Sequence, residues 1–373
     1  MLTIKEVKTK LDAWRFTEFP NKMYRDVEPF VPALSLDERN VFNPKKNPAH
    51  EYCDSIRFLA YQDGKIVGRI AGIINHDWNK AKNRQTVRFT RLDMIDDIEI
   101  TKHLLETIEK WGKEKGMNEI IGPIGFTDLD RQGMLVDGFD ELNMFITIYN
   151  HPYYMKHMVE LGYLKDVDWV EKKITWPTEV PDKVARGARI ARDRYGYKLV
   201  KCAKKKNVFT YIYQAFDTYN EAFMDLYGFF PITNKVMDYY IEQVIALVQL
   251  EYLWFVVDKE EKVVGFGVIF PSLAKANKKN NGKILPFGIF RLLFALKHHD
   301  TIDFYFIAVD PRHQNQGMMA LFMEDGIKVG MKHGVKYAET GPELEENMAI
   351  QNPWKDYDYV QHKRRRCWVK PIE

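Results

Sequence analysis

The chain has 373 residues, more than one hydrophobic core usually serves, so its length points to two domains. Hydrophobic residues make up 46% and charged residues 29%, which excludes wholesale disorder, and a formal charge of +3 gives no reason to expect nucleic acid as a partner. Cys53, Cys202 and Cys367 are far apart in sequence and form neither a CxxC pair nor a disulfide framework, so a reducing compartment and no metal are expected. The start Met1-Leu2-Thr3-Ile4-Lys5 lacks an apolar signal core. The most apolar stretch, Ile284 to Leu296, is interrupted by Pro286 and Arg291 and is too short to span a bilayer. The expectation is a soluble, cytoplasmic protein without a membrane partner.

Up to about Asn47 the chain reads as a short helix followed by a proline-rich extended wrap. Ser55 to Gln62 and Lys65 to Asn75 flank Asp63-Gly64 as a hairpin. A strand over Thr86 to Leu92 follows, then a helix over Ile98 to Lys115, where Leu104, Leu105, Ile108 and Trp111 recur at helical spacing before Gly116. Glu119 to Gly122 reads as a strand, Asn143 to Tyr149 as another, Tyr153 to Leu161 as a helix and Val167 to Trp176 as the closing strand. Pro177 and Pro181 mark a junction, dividing the chain into 1–178 and 179–373.

Beyond it the pattern gives a helix from Lys183 to Tyr195 and two long helices, roughly Val208 to Tyr227 and Thr233 to Val248. A second hairpin (Tyr252 to Asp258, Lys262 to Phe270), a helix over Phe287 to Lys297 and a strand over Thr301 to Val309 come next. A helix over Met318 to His333, a strand over Val335 to Thr340, a helix over Leu344 to Trp354 and a strand over Arg365 to Lys370 finish the chain. Both halves repeat hairpin, strand, helix, strand, helix, strand, which reads as two α/β units side by side.

The most informative stretch is Phe304-Tyr305-Phe306-Ile307-Ala308-Val309-Asp310-Pro311-Arg312-His313-Gln314-Asn315-Gln316-Gly317-Met318-Met319. A buried strand stops at Val309-Asp310, and a polar loop runs straight into a helix. First-turn N–H groups have no internal partners, so a pyrophosphate fits there, with Gly317 allowing close backbone approach. The stretch resembles the acyl-CoA loop of the GNAT acetyltransferase superfamily, Gln/Arg-x-x-Gly-x-Gly/Ala after Val-x-Pro. Gln314, Gly317 and Val309-Asp310-Pro311 match, whereas Met319 stands where a small residue belongs. The resemblance implies that Val309 offers strand backbone to the pantetheine arm, that Gln314, Asn315, Gln316, Gly317, Met318 and Met319 hold the pyrophosphate, and that Asn347 lies beside the arm. GNAT enzymes often place a tyrosine seven residues after this Asn as general acid; here that position is Trp354.

The whole chain resembles a bacterial family of tandem GNAT-like proteins, in the first half through Gly122-Pro123-Ile124-Gly125-Phe126 and Tyr149-Asn150-His151-Pro152-Tyr153-Tyr154. The implied fold class is α/β (α+β): two GNAT-like units, each a mixed, mostly antiparallel central sheet flanked by helices. Before its helix the first unit carries Asp93, Asp96 and Asp97, which would repel a pyrophosphate, so 1–178 is expected to lack acyl-CoA and 179–373 to hold it. The implied activity is acetyl or other acyl transfer from acyl-CoA to a small amine or amino-acid-like acceptor by direct attack on the thioester.

Base candidates are Glu339, which faces the acyl-CoA by resemblance, and Asp303 or Tyr305, which strand alternation puts on one face. The mixed-charge loop Phe126 to Gly138, with Asp128 and Arg131, is the candidate acceptor site. The run Lys363 to Arg366 is a candidate to steer a phosphate, and His298-His299 reads as surface. Met319 and Trp354 keep a competing class open, a degenerate GNAT fold that binds acyl-CoA or nothing as a scaffold. Aminoacyl-tRNA as donor would require a stronger basic surface than this sequence shows.

Overall fold

A computed structural model describes residues 1–373. Fourteen strands form one continuous sheet: β1 (Leu2–Glu6), β2 (Cys53–Gln62), β3 (Lys65–Asn75), β4 (Thr86–Met94), β5 (Glu119–Gly122), β6 (Met134–Asp137), β7 (Leu164–Thr175), β8 (Lys198–Val200), β9 (Leu253–Val257), β10 (Val263–Pro271), β11 (Thr301–Val309), β12 (Tyr337–Thr340), β13 (Glu343–Leu344) and β14 (Tyr359–Pro371). The order is β1-β2-β3-β4-β5-β14-β7-β12-β11-β10-β9-β8, with β6 on β14 and β13 on β7. Only β4–β5 and β11–β12 pair in parallel, so each half is a mixed, mostly antiparallel sheet. The last strand, β14, lies between β5 and β7, and β7 in turn carries β12. The C-terminal strand therefore joins the two halves into one backbone ladder.

Three cores follow from this order. Helix Ile98–Glu114 covers the first half with Leu104, Leu105 and Ile108, all essentially inaccessible. Helices Asp182–Asp193 and Met318–His333 cover the second half, around Trp254, Phe322 and Ile327. The largest core draws on both halves, packing Phe16, Phe42 and Phe126 with Tyr219, Phe229 and Phe255.

Several expected elements differ. Asn143 to Tyr149 is a loop, because the Asn143 side chain bonds the Met144 and Thr147 carbonyls and accepts from Thr147 Oγ1, which replaces a ladder with a self-bonded turn. Leu344 to Trp354 is not one helix. Glu343 and Leu344 pair with β7, a single turn spans Met348–Gln351, and Pro353 lies in a 3₁₀ turn over Asn352–Asp356. The two long helices shrink to Ile212–Phe223 and Asn234–Val244, the left-handed Gly228 and Pro231 lying between them. Strands β1 and β6 appear where none was expected, each completing an edge whose partner lies far along the chain.

Candidate active site

Strand β11 is paired with β12 only from Thr301 to Phe304. Beyond that point the chain leaving β12 turns at Gly341 and Pro342 and moves across to β7 as β13. The edge Tyr305–Val309 is left with β10 on one side and no strand on the other. One extra residue, Tyr305, sits in β11 opposite the Val268–Ile269 step of β10. This bulge turns the strand, so that Ile302 and Phe304 pack in the second core while Phe306 and Ala308 join the shared one.

At the end of this open edge the chain forms a cradle of donors. Asp310 accepts from the Arg312 N–H and pairs with its guanidinium, so the carboxylate is neutralised locally. Asn315 and Gly317 are both left-handed, with φ of 60° and 84°. The N–H groups of Asn315 through Ala320 donate to no carbonyl or side chain of the protein. Six consecutive free amides at the start of a sixteen-residue helix gather hydrogen-bond donors and partial positive charge at this end of the strand edge. Helix Asp182–Asp193 crosses here through Gly187 and Ala191.

Gly317 has a different reason to be glycine from the one its loop position implied. A Cβ on it would lie 2.7 Å from the Gly187 carbonyl oxygen and 3.2 Å from Ala191 Cβ, so its absence lets two helices cross closely. Met319 is half-buried and packs against the second core. Gln316 is fixed by Tyr197 Oη at 2.5 Å. Asn347 lies half-buried at the start of the Met348–Gln351 turn, its carboxamide free of intramolecular hydrogen bonds. Trp354 is a core residue: it packs on Phe304 at 5.0 Å and donates to Glu343 at 2.7 Å.

Beside the open edge runs a row of buried charges. Asp303 and Glu339 are register partners on β11 and β12. Glu339 pairs with Lys363 at 3.1 Å; Lys363 also lies 3.6 Å from Glu171, which bonds Arg365. Both oxygens of Asp303 lack hydrogen-bond partners, and burial, reinforced by Glu339, pushes its pKa well above the usual carboxylate range. A protonated Asp303 leaves Glu339 and Glu171 balanced by Lys363 and Arg365. Tyr305 packs on Phe270 at 4.4 Å and Phe145 at 5.9 Å, its hydroxyl unpartnered. Burial, then Asp303, push its pKa well above the usual phenol range, so the hydroxyl keeps its proton. His362 completes the group: Nδ1 is 3.3 Å from Glu141, Nε2 is 3.8 Å from Glu339 and otherwise unpartnered. A carboxylate can only accept, so the proton sits on Nδ1 and Nε2 keeps its lone pair. Burial, and then Lys363, lower the His362 pKa and keep the ring neutral.

The Lys363–Arg366 run is thus no free basic patch. Lys363 and Arg365 are fully buried in this row, while Arg364 and Arg366 turn to Asp168 on the opposite face. Asp128 and Arg131 do not converge. Asp128 hydrogen-bonds Tyr219 in the shared core, whereas Arg131 donates to the Phe145 carbonyl at 2.5 Å and lines a small cavity of about 40 Å³ with Tyr24, Glu38 and Arg91. Arg131 alone is drawn toward β11, through Phe145.

No family model matches the chain. Solved structures do. A tandem GNAT protein from the clavulanic acid biosynthesis pathway, determined without AcCoA, aligns over 100% of this chain and 99% of its own, with a TM-score of 0.58 at 11% identity. The chain has the tandem GNAT fold. A GCN5-related glucosamine N-acetyltransferase region of a fungal multi-domain GH3 β-N-acetylglucosaminidase covers 99% of this chain and 38% of its own (TM-score 0.61, 12% identity). In sequence the chain is 24% identical over 378 residues to the bacterial ceramide synthase of Caulobacter vibrioides, covering 100% of this chain and 98% of that one. It is 26% identical over 289 residues to protein YghO of Escherichia coli, covering 77% and 73%.

The two GNAT units differ where the acyl-CoA loop would lie. In the first, β4 also leaves its parallel partner after Arg88 and carries a bulge at Arg91–Leu92. There the open edge is filled by the protein itself: Tyr154 Oη accepts from the Met94 N–H at 2.9 Å, and Tyr153 donates to the Met94 carbonyl at 2.6 Å. Asp97 caps the following helix by accepting from Glu99 N–H, the place where the second unit has Gly317 and no side-chain cap. Glu141 and Glu171 of the first unit and His362 of the second, which complete the charged row, escaped the sequence reading. Glu171 and Lys363 become neighbours only through the β7–β14 pairing.

Proposed function

We propose that this protein is an acyl-CoA-dependent N-acyltransferase whose donor site lies in the second unit. The observation that carries the reading is the run of six unpartnered amides, Asn315 to Ala320, next to the unpaired edge Tyr305–Val309. The amides suit a pyrophosphate and the strand edge suits the two amide groups of a pantetheine arm. Gln314, Asn315, Gln316, Gly317, Met318 and Met319 form the phosphate loop, and Val309 and Asn347 flank the arm. The first unit, whose matching edge is sealed by Tyr153 and Tyr154, serves as the partner wall of the acceptor site.

The reaction joins the amine nitrogen to the thioester carbonyl carbon and breaks the C–S bond, giving an amide and the free thiol. Glu339 binds the acceptor ammonium and takes its proton, and the neutral His362 Nε2 accepts it in turn. Tyr305, with its proton retained, donates a hydrogen bond to the carbonyl oxygen as charge develops there. Protonated Asp303 keeps the row from excess negative charge. With Trp354 in the core, the second proton that the nitrogen sheds after attack reaches the departing thiolate through solvent. Arg131, which no carboxylate pairs, suits an acceptor's anionic or polyhydroxy end. The relative named bacterial ceramide synthase extends the acceptor class to long-chain amines, since a ceramide is an N-acylated long-chain base.

Calorimetric titration with acetyl-CoA and a long-chain acyl-CoA tests the donor site, using Asn315→Asp as the control. Asn315 is exposed and left-handed, a conformation Asp tolerates, so the change adds a charge beside the amides without disturbing the helix crossing. Binding that weakens at least about tenfold in the variant supports the reading. No binding to the parent protein would leave the degenerate scaffold as the better account.

A further inference from the structure

The chain exposes 20 large hydrophobic residues, mostly singly, but five of them fall between Leu285 and Phe294. Leu285, Phe287, Phe290, Leu293 and Phe294 are 76%, 71%, 67%, 47% and 65% exposed. The helix Gly288–Lys297 is amphipathic with two apolar faces. Gly288, Leu292 and Leu296, at four-residue spacing, pack inward with Leu273 and Ala276, while Phe287, Phe290 and Phe294 form a stripe in solvent. Isolated exposed apolar residues are ordinary; three exposed phenylalanines in register on one helix are not.

The charges around this stripe identify what covers it. Between Ser272 and His299 stand Lys275, Lys278, Lys279, Lys283, Arg291 and Lys297, with no Asp or Glu. Lys275 and Lys278 are held by Asp300 and Glu28, while Lys279, Lys283, Arg291 and Lys297 have no carboxylate partner. A second copy docking symmetrically would set these cations against their own images. Phenylalanine and leucine on one face with lysine and arginine beside them match the boundary between anionic headgroups and acyl chains. No helix of the chain is long and apolar enough to cross a membrane. A helix that lies in the membrane surface needs no such length.

We propose that the face formed by Leu285, Phe287, Phe290, Leu293 and Phe294 docks on an anionic lipid bilayer, with Lys279, Lys283, Arg291 and Lys297 against the headgroups. This face connects to the charged row. Phe145 packs under the helix with Leu292 and Leu296 and lies 5.9 Å from Tyr305, and its carbonyl holds Arg131. Docking therefore sets the acceptor side of the site close to the membrane surface. The corollary, which rests on the transferase reading, is that the acceptor is an amphiphilic amine drawn from the bilayer.

The test is co-sedimentation of the full chain with phosphatidylcholine vesicles and with mixed phosphatidylcholine–phosphatidylglycerol vesicles, without any acyl-CoA. Two variants are compared, Phe287→Ser/Phe290→Ser/Phe294→Ser and Lys279→Glu/Lys283→Glu. All these side chains lie at the surface, so far-ultraviolet circular dichroism and melting should match the parent. Binding to the anionic vesicles is expected, weaker on phosphatidylcholine alone, and reduced by about tenfold or more in each variant. The proposal falls if the parent does not sediment with anionic vesicles or if the triple variant binds as well as the parent. It falls equally if light scattering shows the triple change splitting an oligomer while vesicle binding is kept. Because no acyl-CoA is present, failure here leaves the transferase reading standing, and failure of that reading leaves the docking intact. For the corollary, the triple variant should raise KM for a vesicle-borne long-chain amine and leave kcat and the KM for a soluble amine unchanged. An unchanged KM for the vesicle-borne amine would overturn it.

Discussion

Replacing Asp128 by asparagine should stabilise the protein above about pH 6 and leave its stability nearly unchanged below about pH 4. Asp128 Oδ1 is shut from solvent without a partner, and Oδ2 accepts from Tyr219. Burial raises its pKa to about 6, against the smaller opposing effects of the Tyr219 hydrogen bond and Arg88. The folded state thus holds this proton more tightly than the unfolded chain does. The wild-type protein has that advantage below the unfolded pKa and loses it as pH rises through the folded value. A shift of about two units at ~1.4 kcal/mol each sets a ceiling of about 3 kcal/mol, and the partial exposure of the residue lowers the expectation to about 1–3 kcal/mol. The asparagine side chain retains an acceptor for Tyr219 but does not titrate. Urea denaturation of both proteins across this pH range isolates the effect, because all other groups titrate alike in the two. The difference in unfolding free energy should climb between about pH 4 and 6 and then level off. A difference that stays flat with pH would refute this reasoning, since Asp128 would then ionise as an ordinary surface carboxylate. If the stabilised variant also loses acyl transfer, Asp128 is retained for function at a cost in stability.

Gly317→Ala should cost about 2–4 kcal/mol in urea denaturation, combining left-handed backbone strain with overlap against the Gly187 carbonyl; a loss under about 1 kcal/mol would show that the helix crossing adjusts freely. Tyr154→Phe should destabilise by about 1–3 kcal/mol, because the buried Met94 N–H loses its acceptor, and should leave acyl-CoA affinity unchanged. A gain of a second acyl-CoA site in that variant would mean that the first unit is sealed by this one hydroxyl. His362→Ala should lower kcat by about a hundredfold and remove the acidic limb of the pH–kcat/KM profile, which in the parent should fall below the ordinary histidine range. A profile that keeps its acidic limb in the variant would move the proton-accepting role away from His362.

The local structure around the loop from Asp310 to Gly317 was readable from residue order. Strand Thr301–Val309 and helix Met318–His333 appear with the bounds their patterns imply, since β-branched and aromatic runs, Pro311 and Gly317 act over a few residues. The first hairpin, at Asp63-Gly64, and the second, with its turn at Lys259 to Glu261, are similarly local. What lay beyond reach was every contact made by distant strands. The basic run Lys363–Arg366 looks solvated in one dimension, yet the insertion of β14 between β5 and β7 buries Lys363 and Arg365 against Glu171 and Glu339. The same insertion brings His362 to Glu339 across residues with no sequence proximity. Gly317 was legible as a glycine that must be a glycine, but only the crossing of helix Asp182–Asp193 showed which backbone approaches it. Local propensity acts through a few neighbouring residues, whereas burial, pKa and ion pairing depend on which segments the sheet places side by side.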